Sequence, residues 1–248
     1  MTLALMQPYF FPYIGYFELI ASTERWLVFD TAQFSLQSWM YRNRILHPKE
    51  GWQYISLSLH KPSPRRSVGE TSLKDPAESG AKLLRQLEHY RRKAPYYRQV
   101  CTLVEETFAE TKTKCLVELN IRSLVFSCGY IGVPFPHEKL SELNLLLPPV
   151  TYPGQWPLEI ATLLGAARYI NASGGRSLFR PEDFRDRSIG LSFMPETDFR
   201  YECAPYVFQP HLSILDVLMW NSPQSVREHL FRVARKVKEA LSVSEVAA

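Results

Sequence analysis

The sequence predicts an α/β fold: a mainly parallel, Rossmann-like three-layer sheet with a helical insertion. Three observations predict it. The chain opens with a buried apolar strand, Leu3–Met6, a short helix, Tyr13–Ser22, and a second apolar strand, Trp26–Phe29. Such a strand–helix–strand unit favours a parallel pair with a right-handed crossover. Residues 76–130 then carry helical periodicity throughout, and beyond residue 151 strand and helix patterns alternate again. The expected organisation is an N-terminal α/β half with a hairpin (1–75), a helical insertion or subdomain (76–150) and a C-terminal α/β half completing one domain (151–248). A length of 248 residues suits this plan.

The elements follow in order. Ile14, Phe17 and Ile20 give the first helix one apolar side. Arg44–His47 and Trp52–Leu59 flank Pro48-Lys49-Glu50-Gly51, which predicts a hairpin that extends the sheet or covers the site. Residues 60–75 read as a loop. Helices are expected at Ala77–Ala94, with Leu83, Leu84 and Leu87 in its stripe, at Tyr96–Ala109 after Pro95, and at Lys114–Tyr130, closed by Gly129 and Gly132. Tyr152–Leu164 is a shorter helix that stops at Gly165. Strands are expected at Arg168–Asn171, Ile189–Met194 and Tyr206–Phe208, and helices at Ser213–Trp220, capped by Ser213, and Gln224–Leu241.

Composition narrows the function classes. With 46% hydrophobic and 22% charged residues the chain can bury a core. The net charge of +4 comes from scattered basic residues, which suits an anionic small molecule and not a nucleic acid. The four cysteines, at 101, 115, 128 and 203, form no CxxC pair and match no zinc spacing, so no metal is expected. Free thiols and the lack of a signal-like start point to the cytoplasm. No apolar run approaches 18 residues, so no membrane span is expected. Oligomeric state leaves no mark in the sequence.

The densest chemistry follows the first strand. In Gln7-Pro8-Tyr9-Phe10-Phe11-Pro12-Tyr13-Ile14-Gly15-Tyr16-Phe17, residues 7–16 alone pack five aromatic residues, two prolines and a glycine into a strand-to-helix turn. A rigid aromatic turn at a strand's carboxyl end is how α/β proteins wall a ligand crevice; an aromatic plug under a loop is the plainer alternative. Gln7, Tyr9, Tyr13 and Tyr16 are its candidate binding residues. Asp30 and Gln33 follow the second strand and fall beside this turn if the strands are parallel. Asp30 suits a general base, a ribose-hydroxyl acceptor or a turn cap; Gln33 and Asn43 suit ligand orientation, and Arg44 suits an anion. Ser173-Gly174-Gly175-Arg176 fits either a phosphate cradle or an ordinary Gly-rich turn. His211 precedes a helix N-terminus, where positive charge is disfavoured, which suits a neutral base. The close Ser213–Asp216 spacing reads as a capping box, not as part of a triad. His47, His89, His137 and His229 are expected at exposed positions.

Together these clusters resemble the WbqC family of bacterial proteins, found with surface-polysaccharide and O-antigen biosynthesis genes. The residues are Met6–Phe17, Asp30, Gln33-Phe34, Trp39, Asn43-Arg44-Ile45, Tyr169-Ile170-Asn171, Ser173-Gly174-Gly175, and Phe208–Asp216 with Asn221-Ser222. The resemblance implies sugar or natural-product tailoring, with an amino acid or acyl group joined to an amino sugar; it transfers no catalytic residues. A weaker similarity of layout, over about a third of the chain, is to adenylyl-transferring α/β proteins with an HxGH motif, such as pantothenate synthetase. Tyr13 and Tyr16 stand where those proteins carry histidines, and tyrosine donates a hydrogen bond without positive charge.

Two expectations of function follow. One is an enzyme forming an amide by acyl or aminoacyl transfer to an amino sugar or related amine, with ATP or a nucleotide-activated donor as the expected cofactor and a nucleotide-linked amino sugar as the small-molecule partner. Asp30 and His211 are its candidate catalytic residues. The alternative is a non-catalytic nucleotide-sugar binding or scaffold protein of the same pathway. A transferase built on Cys128 or Cys203 ranks last, because Cys128 lies near a helix end and not at an N-terminus.

Overall fold

A computed structural model describes residues 1–109 and 114–246. Nine strands and eight α-helices occur in the described residues. They are β1 (Thr2–Met6), α1 (Ile14–Ala21), β2 (Arg25–Val28), β3 (Arg42–Leu46), β4 (Trp52–Ser56), β5 (Leu59–His60), β6 (Ser72–Leu73), α2 (Pro76–Leu87), α3 (Tyr97–Phe108) and α4 (Leu116–Ile131). Then follow β7 (His137–Lys139), α5 (Gln155–Leu163), β8 (Arg168–Asn171), α6 (Pro181–Asp186), β9 (Gly190–Phe193), α7 (Ile214–Trp220) and α8 (Pro223–Val246).

The central sheet has five strands in the order β7-β2-β1-β8-β9, all parallel. Strand alternation divides its side chains between two cores. Leu3, Leu5, Leu27 and Tyr169 meet α5 and α6 on one face. Ala4, Trp26, Val28 and Ile170 join α1, α4 and α8 on the other. The helical segment α2–α4 shares this second core with β1 and β2, as the presence of Leu83, Val100 and Leu124 in it shows. The expected α/β three-layer arrangement is therefore the observed one.

Strand order sets the crevice. From β1 the chain moves outward to β2 and β7, then returns through α5 to place β8 on the other side of β1. The order reverses between β1 and β8, the place where open α/β sheets bind ligands, at the carboxyl ends of the strands. Gln7 leaves β1 there, and Ser173 lies two residues beyond β8.

Several elements differ from the sequence reading. The β3–β4 hairpin does not extend the sheet; it forms a separate two-stranded ribbon. A further short pair, β5–β6, occupies the expected loop. The strand His137–Lys139 is polar because it is an edge: Glu138 pairs with Arg25 of β2 at 2.8 Å, so a charged pair caps the sheet. Tyr206–Phe208 forms no strand; the Tyr206 hydroxyl donates to the His89 carbonyl at 3.1 Å instead. His229 is buried, not exposed, because its Nε2 meets the buried carboxylate of Glu18 at 2.6 Å. No helix among the described residues is long and apolar enough to cross a membrane.

Candidate functional site

The opening turn is held by a row of donors aimed at its carbonyls. Two prolines remove backbone N–H groups, and a buried turn must satisfy its remaining polar atoms from elsewhere. Tyr16 donates its hydroxyl to Gln7 O at 2.8 Å. The Asn120 amide donates to Pro8 O at 2.7 Å, and that of Asn43 to Phe10 O and Phe11 O at 3.0 and 2.7 Å. The Ser213 hydroxyl donates to Phe11 O and the Ile214 N–H to Pro12 O, at 2.7 and 2.8 Å. Phe11 takes a left-handed backbone, φ 40°. These bonds fix a conformation that an aromatic residue otherwise avoids.

This scaffold brings Tyr13, Arg44 and His211 together. The Tyr13 and His211 rings meet edge to face at 5.7 Å. Arg44 Nη2 donates to the His211 carbonyl at 3.3 Å, and the Ser213 N–H donates to the Arg44 carbonyl at 2.8 Å. His211 is exposed and also left-handed, φ 56°. Two strained residues, Phe11 and His211, thus stand on the two segments that converge. Burial raises the Tyr13 hydroxyl above its ordinary pKa, and Glu18 and Glu196 add to the shift. A tyrosine hydroxyl is protonated at neutral pH in any case, so Tyr13 can donate there.

Two clefts meet beside this group. One of about 340 Å³ is lined by Ile14, Phe208, Gln209 and His211 together with Glu196–Asp198. The other, about 600 Å³, contains Arg176, Phe193, Glu18 and Lys236 and shares Glu196–Asp198 as its wall. The wall is pinned where Thr197 donates to Glu18 at 2.7 Å. Arg176 stacks over Phe193 at 4.5 Å in the second cleft.

The remaining predicted residues lie elsewhere. Tyr16 and Asn43 are buried beneath the turn and support it. Gln7 and Tyr9 are half-buried, the Tyr9 hydroxyl donating to Gln7 Oε1 at 3.5 Å. Asn43 and Arg44, neighbours on β3, point to opposite faces, while Arg42 and Arg44 share one. Asp30 is buried and accepts from the Ser141 N–H at 3.1 Å and from the Ser141 hydroxyl, which caps the turn after β7. It borders a different cleft, of about 610 Å³, whose walls include Thr31, Ser141 and Trp156. Gln33 is exposed and its amide donates to Pro64 O at 2.7 Å. Ser173-Gly174-Gly175-Arg176 begins a 3₁₀ turn. A Cβ at Gly175 would lie 2.2 Å from Asn171 Nδ2, so close packing on β8 accounts for this glycine. Burial raises both the Cys128 and the Cys203 thiols, the latter to about 11, so neither is a thiolate at neutral pH.

Sequence reasoning missed Asn120, which supports the turn, and the role of the buried Asp216, which accepts from Leu46, Tyr90 and Tyr201 instead of closing a capping box. Asn120 carried no local signal inside a helix. Asp216 fitted a capping box equally well.

No solved structure matches the chain. A Mycobacterium tuberculosis protein described as uncharacterized protein Rv1507c is 24% identical over 228 residues, which cover 87% of this chain and 91% of that protein. The profile of the WbqC-like protein family matches residues 7–228, and those residues include the opening turn, Arg44 and His211: the chain belongs to the WbqC-like protein family.

Proposed function

We propose that this protein is an enzyme of surface-polysaccharide or natural-product biosynthesis that forms an amide, moving an acyl or aminoacyl group from an activated donor to an amino sugar or related amine. The convergence of Tyr13, His211 and Arg44 against the turn that follows β1 carries the proposal. His211 acts as general base. The amine nitrogen attacks the acyl carbon, its proton passes to His211, and the leaving group departs with the electrons of its bond and takes the proton back. Tyr13 donates a hydrogen bond to the oxyanion that develops on the acyl oxygen. Arg44, on the His211 carbonyl, and Arg176, in the larger cleft, hold anionic groups. Asp30, buried behind a separate cleft and held by Ser141, is the second candidate base.

The test is product formation, by mass spectrometry, from amino sugars with ATP plus amino acids or with preformed acyl donors. His211→Gln is expected to lower turnover by about 100-fold or more while ligand binding persists. Wild-type turnover in His211→Gln with loss in Asp30→Asn would move the base to Asp30. Ligand binding with no product from any donor would favour a binding module, a reading supported by the exposed aromatic–arginine face of the hairpin.

A second expectation isolates Tyr13. Gly15 lies under its ring, where an added Cβ would come within 2.4 Å of Tyr13 Cε2. Gly15→Ala improves helix propensity by about 1 kcal/mol but displaces that ring. Turnover should fall about 10-fold or more with no loss of thermal stability. Unchanged turnover would remove Tyr13 from the chemistry.

A further inference from the structure

The outer face of the β3–β4 hairpin carries a row of aromatic and guanidinium groups. The Arg44 guanidinium lies 5.3 Å from the Trp39 ring centre and 5.0 Å from that of Trp52. Trp52 meets Tyr54 at 5.0 Å, and Arg42 covers Tyr54 at 4.6 Å. Trp52 and Tyr54 are each 40% exposed. Exposed rings on a two-stranded ribbon add little to stability.

The two arginines lack acidic partners among the described residues. Arg42 Nη2 donates to Gln37 O at 2.9 Å and Arg44 Nη2 to His211 O, both neutral carbonyls. The Nε of each is shielded from solvent and has no acceptor. A guanidinium pair held by neutral carbonyls, with no carboxylate to offset its charge, leaves its outer Nη donors to an anion.

The order of the groups then matters. From the ribbon inward they run Trp52, Arg44, His211, Tyr13: aromatic platform, anion clamp, base, hydroxyl donor. A nucleoside diphosphate bearing a substituent has the matching order of planar base, anion and reactive end. We infer that the hairpin face binds a nucleoside diphosphate, its base stacked on Trp52 and its phosphates on Arg44 and Arg42, so that the group it carries reaches His211. Only the last clause rests on the proposed catalytic reading. A neutral sugar polymer would leave both guanidinium groups unanswered. A nucleic-acid strand would need a longer basic track than a chain of net charge +4 with scattered arginines provides.

The experiment is calorimetric titration of the full chain with UDP, dTDP and ADP, and with uridine, pyrophosphate and an acidic oligosaccharide for comparison. At least one nucleoside diphosphate should bind about 10-fold or more tightly than uridine or pyrophosphate alone. Trp52→Ala and Arg44→Lys should each weaken it by a similar factor. Trp52 is exposed and Arg44 half-buried, and unchanged far-UV circular dichroism and melting temperature verify folding. The inference is overturned if no nucleoside diphosphate binds, if both variants bind as the wild type does, or if the oligosaccharide binds equally well. Binding through the hairpin without amide formation would sink the catalytic proposal alone. Amide formation with an unchanged KM in both variants would sink this inference alone.

Discussion

Asp216→Ala should lower stability by about 3–5 kcal/mol, the largest effect expected of any single substitution here. Asp216 is fully buried on α7 and ties together segments far apart in sequence. Its Oδ2 accepts the Leu46 N–H at 3.0 Å and the Tyr90 hydroxyl, and its Oδ1 accepts the Tyr201 hydroxyl at 2.7 Å. Alanine leaves these donors without their acceptor in the core. For a chain of this size the loss corresponds to a melting temperature lower by roughly 6–20 °C. Scanning calorimetry measures it, and a drop below 2 °C would show that the network is not a structural anchor. Function should suffer with it, because Leu46 ends the strand that carries Arg44 and Tyr201 lines the His211 cleft.

The same carboxyl gives stability a pH dependence of known sign. Burial raises the Asp216 pKa above its ordinary value, against the pull of its three donors. The folded chain therefore holds this proton more tightly than the unfolded chain does. That contribution is complete below the ordinary Asp value and is lost as pH rises through the raised one. Asp216→Asn is less stable than the wild type at low pH, since its amide nitrogen accepts nothing, yet it has no proton to lose. Its deficit should shrink as pH rises from about 4. Urea midpoints of the two proteins across that range decide the matter, and a deficit that grows with pH would reverse the assignment.

How far the sequence discloses the fold depends on whether a residue's role is local. β1 and β2 are legible because four apolar residues in a row, Leu3–Met6 and Trp26–Phe29, have few other fates. β7 is not, since His137-Glu138-Lys139 becomes a strand only through its partner β2 and the Arg25–Glu138 pair. The candidate site divides similarly. Tyr13, Arg44 and His211 stand out by residue type, and the structure brings them together. Asp30 and Tyr16 stand out equally, yet the Ser141 cap and the Gln7 carbonyl claim them. Carboxylates and hydroxyls that support a backbone look like those that meet a ligand until their partners are seen. The opening turn shows the reverse case, for its two prolines signal missing donors but not which distant side chains supply the ones its carbonyls need.

Asn120 is the most demanding of those suppliers. It is fully buried on α4, and its Nδ2 donates to Pro8 O and to Met40 O, both at 2.7 Å. Its Oδ1 has no partner, so the residue is held for its donors alone. Asn120→Ala leaves two buried carbonyls unpaired and should cost about 2–4 kcal/mol. Asn120→Asp should be worse, because a carboxylate offers those carbonyls no N–H and must itself be buried without a cation. The order wild type, alanine, aspartate in unfolding midpoint is the diagnostic outcome. Aspartate at or above alanine would mean that volume, not donation, is what α4 provides to the turn. Activity adds a second axis: the turn fixes Tyr13 against His211, so Asn120→Ala should lose turnover at temperatures where it is still folded. Retention of full turnover below its melting point would show that the Tyr13–His211 pairing survives without the bond to Pro8, and that Asn43 and Ser213 hold the turn unaided.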